Sequence, residues 1–99
     1  MDVQFANGDL DRLEIDPAFN AGHSRQVVRA FRKTMGIIRA AVDERVFYAF
    51  RGLRYEKLKG RRSHQHSMRL NDQWRLIIEL RSNGPHNTLV VVQSIEDYH

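Results

Sequence analysis

Between residues 57 and 75 the chain gathers Lys57, Lys59, Arg61, Arg62, Arg69 and Arg75 on a segment whose pattern predicts a cationic loop running into two strands. Arginine's planar fork can grip two phosphate oxygens and offset charge developing at a scissile phosphate. Lysine does the same as a point charge. Metal-free RNA cleavage needs two further groups, one to take the 2′-hydroxyl proton and one to protonate the departing 5′-oxygen. Histidine suits both, because its ordinary pKa of about 6.5 populates both forms near neutrality. His99 stands beside Tyr98 after the last predicted strand, within reach of the cationic face. Glu56 and Asp97 are the acids nearest that face, and either can orient a base, act as one, or simply pair with an arginine.

The remaining candidates have plainer readings. His64 and His66 flank Gln65 at a spacing that could chelate a metal, but no carboxylate or cysteine completes a ligand set, so neither metal nor cofactor is expected. His23 and His86 read as surface positions. Trp74 and Tyr55 read as core rings rather than base-stacking platforms.

Positioning such groups requires a small folded domain, and the 99 residues, 41% of them apolar, suffice for a single core. The net charge is +4 and the charge is segregated. Residues 1–22 carry Asp2, Asp9, Asp11, Glu14 and Asp16 against Arg12, whereas 51–75 carry eight bases against Glu56 and Asp72. A basic stretch mixed with His, Trp and Gly suits an anionic partner, nucleic acid first. The absence of cysteine excludes disulfides, zinc thiolates and a thiol nucleophile. With no basic-apolar leader and no run near the ~20 residues that span a bilayer, a cytoplasmic protein without membrane contact is expected.

The elements follow from periodicity. Val3 and Phe5 alternate as a short strand, and Asn7 can cap a helical turn over Asp9–Glu14. Asp16-Pro17 interrupts it, and a new short segment can begin there. Val27, Val28, Phe31, Met35, Ile38 and Val42 recur at helical spacing behind a Ser24 cap, with the intervening arginines reading as a solvated face. Gly36 interrupts that helix, and close packing on a sheet would account for it. Asp43 can cap a further helix over Glu44–Phe50, ended by Gly52. His66–Leu70, Trp74–Leu80 and Asn87–Ile95 then read as an antiparallel meander turned at Asn71-Asp72 and at Ser82-Asn83-Gly84-Pro85. Helices first and sheet second predict an α+β domain over residues 1–99.

Three stretches, in this order and spacing, resemble HigB toxins of the RelE/ParE superfamily from type II toxin–antitoxin systems: Glu56-Lys57-Leu58-Lys59-Gly60, Ser67-Met68-Arg69-Leu70-Asn71-Asp72-Gln73-Trp74-Arg75 and Glu96-Asp97-Tyr98-His99. The resemblance covers roughly the last 45 residues. It implies a microbial-ribonuclease-like α+β fold, with a short N-terminal strand and helices packed on a mostly antiparallel sheet. It further implies a metal-independent, ribosome-dependent mRNA endoribonuclease silenced by a helix-turn-helix, HigA-like antitoxin. Lys59, Arg75, Tyr98 and His99 fall on residues implicated in catalysis or substrate placement; the neighbouring cations Lys57, Arg61, Arg62 and Arg69 are expected to bind the RNA backbone. Some members carry histidine where this chain has Glu56, which leaves Glu56 or His99 as the general base. The superfamily also implies two alternatives, a ParE-like inhibitor of DNA gyrase that cleaves nothing and a catalytically silent RNA- or antitoxin-binding module.

Overall fold

The computed structural model describes residues 1–97; Tyr98 and His99 lie outside the described residues. A short strand β1 (Asp2–Phe5) leads into α1 (Gly8–Ile15), α2 (Arg25–Ala40) and the single-turn α3 (Arg45–Ala49). A two-residue strand β2 (Glu56–Lys57) and the meander β3 (Gln65–Arg69), β4 (Trp74–Ser82) and β5 (Thr88–Asp97) follow. The sheet order is β1-β5-β4-β3-β2, with every neighbour antiparallel except β1 on β5.

Helices α1 and α2 begin where their capping chemistry stands. The Asn7 side chain accepts the Leu10 N–H at 3.1 Å, and Ser24 Oγ accepts the Val27 N–H at 3.2 Å. At α3 the cap position is Glu44, not the expected Asp43, and its side chain makes no capping bond; Asp43, one residue earlier, accepts the Arg45 N–H. Around Asp16-Pro17 the chain forms only a turn, in which Asp16 accepts from Ala18 N; no new helix begins there. Helix α2 ends at Ala40, so Val42 is 83% exposed instead of continuing the apolar stripe. Phe50, which helical spacing would put on the apolar side of Val46 and Phe47, is likewise exposed because α3 ends at Ala49, and Gly52 sits inside a 3₁₀ turn over Arg51–Leu53.

The core lies between α2 and one face of the sheet. Phe31, Met35 and Ile38 of α2 meet Met68, Leu76, Ile78, Val90 and Val92, all of them fully buried. Arg32, on the supposedly solvated side of α2, has a structural role. Its Nε donates to Leu13 O at 3.0 Å and its Nη2 to Asp16 O at 2.9 Å, satisfying carbonyls at the end of α1 that helix geometry leaves without partners.

Gly36 does not mark a close approach, because a Cβ built on it meets nothing within 4 Å and the position is exposed. Gly36→Ala is therefore expected to stabilise the protein by about 1 kcal/mol, the helix-propensity difference, read from the urea midpoint. A loss of stability would show that α2 needs flexibility there.

Candidate nucleic-acid interface

The sheet face turned away from α2, with the turn bordering it, carries the cations that the sequence singles out, Lys57 excepted. Alternation along β4 sends Trp74 toward the core and Arg75 to the open face. Register then places Arg75 between Arg69 on β3 and Glu96 on β5. Two like charges directly opposite each other weaken a strand pair, so the Arg69–Arg75 pair marks a place that favours an anion. Arg69 is drawn toward the turn by an ion pair with Asp72.

Glu56 lies opposite Ser67, two residues along and two strands across from Arg75 on the same face. Strand spacing puts the two Cα atoms roughly 12 Å apart, so a cation and a carboxylate share one face. Lys57, the next residue along, pairs with His66 and so lies on the opposite face of β2, beside the helices. The structure thus separates Lys57 from the other cations.

Gly60, at φ +64°, turns the chain into the 3₁₀ turn Gly60–Arg62, a left-handed conformation that suits glycine. Lys59 and Arg61 project from this turn as exposed residues. Arg62 reaches back over the sheet. Its Nε donates to Gln65 on β3 at 2.9 Å, and its two terminal nitrogens bind the Glu96 carboxylate on β5 at 2.8 and 2.7 Å. The guanidinium therefore crosses β4, which explains why Ile77 is fully buried on a face that no helix covers. The Arg62 fork and a Ser94 hydroxyl bond at 2.7 Å hold the Glu96 carboxyl below the ordinary glutamate range.

A second carboxylate, which alternation turns outward but whose partners no local pattern announces, organises the far end of the face. Glu79 accepts from Arg81 at 2.7 Å and Gln65 at 3.2 Å, with His64 Nε2 at 3.3 Å. Burial works to raise its pKa, but the Arg81 and Gln65 bonds outweigh that and leave it lowered. Arg62 and Arg81 are thus neutralised within the protein, whereas Lys59 and Arg61 make no ion pair among the described residues. Gln73 Nε2 donates to Asp97 at 3.0 Å. Tyr98 and His99, expected beside Arg75, fall outside the described residues.

His66 belongs to a different site from His64. Its ring stacks on Tyr55 with centroids 4.7 Å apart, and Nε2 lies 3.5 Å from the Glu44 carboxylate that also accepts the Tyr55 hydroxyl at 2.6 Å. Burial, then Glu44, push the Tyr55 pKa upward. The two histidines thus diverge, and among the described residues no group of three His, Cys, Asp or Glu side chains could hold a metal ion.

Burial pulls the His66 pKa below the ordinary 6.5, against the attraction of Glu44. The unfolded chain then takes the proton more readily, so the stability contribution is full above pH 6.5 and declines as pH falls toward the lowered native value. Urea midpoints measured from pH 7.5 to 5.5 are expected to fall in the wild type and to flatten in His66→Gln. Equal slopes would remove His66 as the source.

The element order and sheet define an α+β fold of the RelE/ParE-like type. A YoeB/ParE toxin from Agrobacterium tumefaciens has the same fold, with a TM-score of 0.62 at 15% identity over 100% of both chains. At that identity the likeness shows the fold alone. No family model and no curated protein matches the sequence. No helix among the described residues is long and apolar enough to cross a membrane.

Proposed function

We propose that this chain is the toxin of a type II toxin–antitoxin pair and that it cleaves mRNA on the ribosome by metal-independent transesterification. The single observation that carries this reading is the Arg69–Arg75 pair on the open face, opposite charges to an RNA phosphate and flanked by Glu56. Arg75 and Lys59 stabilise charge on the scissile phosphate. Glu56 or His99 takes the 2′-hydroxyl proton and His99 can supply the one that leaves with the 5′-oxygen, while Tyr98 positions the substrate. Arg61 and Arg69 bind the RNA backbone, and Arg62 holds the 59–63 turn over the sheet through Glu96. Lys57 contacts RNA only where the strand wraps the β2 edge. A HigA-like helix-turn-helix antitoxin silences the toxin, and the cytoplasm is its place of action.

A second reading is a gyrase inhibitor that cleaves nothing. The internal pairing of Arg62, Arg69 and Arg81 with carboxylates favours it, because these cations are partly withdrawn from RNA. Primer extension on mRNA from translating ribosomes, run beside a gyrase supercoiling assay, separates the two. Discrete cuts with unaffected supercoiling support the nuclease, and intact mRNA with blocked supercoiling replaces it.

A further inference from the structure

On the opposite side of the molecule, the loop 16–24 and the first two turns of α2 enclose a cleft of about 290 Å³. Its walls include Phe19, Asn20, His23, Arg25, Arg29 and Arg32, and no carboxylate lines it. Most arginines of the sheet face are matched with acids, as in Arg62–Glu96 and Arg81–Glu79. Two of those in the cleft are not: Arg25 and Arg29 are exposed and make no ion pair among the described residues. Arg32 spends Nε and Nη2 on the carbonyls of Leu13, Asp16 and Phe19, which fixes its guanidinium, and its charge is shared with the nearby Asp16 carboxylate. The first turn of α2 holds no acidic residue to offset these cations or the helix's positive end.

The loop that forms the other wall is held in shape. Asn20 accepts the Gly22 N–H at 2.8 Å, and Ala21 adopts φ +52°, a left-handed conformation uncommon outside glycine and asparagine. Phe19 carries the Arg12 guanidinium 4.2 Å above its ring, and His23 stands edge-on to Trp74 at 5.2 Å. The cleft is therefore a fixed cationic socket with two aromatic walls. Its volume, at the lower end for ligand pockets, admits one nucleotide-sized group.

We propose that this cleft is a second nucleotide-phosphate site, in which Arg25 and Arg29 grip a phosphate ester and Phe19 and His23 border the attached nucleoside. The phosphate comes either from a free nucleotide or from a strand of RNA. The site lies across the sheet from Arg75 and does not depend on cleavage there.

Trp74, the one tryptophan in the chain, touches His23 and reports on the cleft by its fluorescence. Titrations use inorganic phosphate, uridine monophosphate and a pentauridylate without terminal phosphates. Arg25→Gln/Arg29→Gln is expected to weaken nucleotide binding at least tenfold and to lower the salt slope for the pentamer by about 0.7, the value for one phosphate contact on a single strand. Both residues are exposed, so the fold is kept. The loss caused by Arg25→Gln/Arg29→Gln is expected to be of the same size in the presence or absence of Arg75, because the two residues of the cleft lie across the sheet from it, and to persist even if cleavage proves absent. Tighter binding of the monophosphate than of the pentamer assigns the site to free nucleotides, and the reverse assigns it to an RNA strand. A charge-matched control, Lys33→Gln/Arg51→Gln, removes two exposed cations elsewhere. The proposal is overturned if this control weakens binding equally, or if Arg25→Gln/Arg29→Gln binds every probe as the wild type does.

Discussion

Arg75→Ala is expected to slow mRNA cleavage on translating ribosomes by roughly 10²–10³-fold, the loss seen when one preorganised donor to a developing anion is removed. The size follows from where the side chain sits. Arg75 is half-buried on the open face of the central region of the sheet, with Arg69 and Glu96 as its cross-strand neighbours. Strands on both sides fix its backbone, so the guanidinium needs little reorganisation when charge develops at the phosphate. Arg75→Lys is expected to recover part of the rate, because it restores a charge without the planar fork. Binding of intact mRNA should change far less than the cleavage rate, since Lys59 and Arg61 remain. The fold is checked by the thermal midpoint of each variant. Wild-type cutting by a folded Arg75→Ala protein would exclude the open sheet face as the catalytic surface.

Much of this arrangement can be read from local sequence because its determinants are local. Asn7 and Ser24 cap helices where they stand, Asn71 accepts from Gln73 and Trp74 at the β3–β4 turn, and alternation sets Arg75 outward from Trp74. What is not legible depends on partners far along the chain. The parallel pairing of β1 with β5 joins Val3 to Val90, and no local pattern announces it. The register shift between Ile77 and Ile78 is equally hidden, since Leu89 to Val92 read as a continuous apolar run. Arg62 reads as one more free cation, and only the fold reveals that Glu96, 34 residues later, holds it. Lys57 illustrates the sharpest limit. One residue of phase on a two-residue strand decides its face, and only the pairing with His66 fixes that phase. The alternation that sets Arg75 outward turns Ile77 outward as well, and its complete burial comes from a side chain that arrives from another element.

The largest loss of stability is expected from Phe31→Ala. Phe31 is fully buried at the middle of α2, in the cluster that joins this helix to Leu76, Ile78 and Val92 of the sheet. Helix α2 also carries Arg32, whose bonds to Leu13 and Asp16 fasten α1 and the following loop. Truncating the ring removes its buried apolar surface and leaves a cavity that a close-packed neighbourhood only partly fills. The cost is about 3–5 kcal/mol. Domains of this size have total stabilities of about 5–15 kcal/mol, so much of the margin disappears. Phe31→Leu keeps most of the volume and should cost far less, which separates cavity formation from any special need for an aromatic ring. Urea midpoints of the two variants test this directly, and a Phe31→Ala loss below 1 kcal/mol would contradict the packing of α2 against the sheet. Because α2 also forms one wall of the cationic cleft, the same variant should weaken phosphate binding there only as far as it lowers the folded fraction. Phe31 lies on the core side of the helix, away from Arg25 and Arg29.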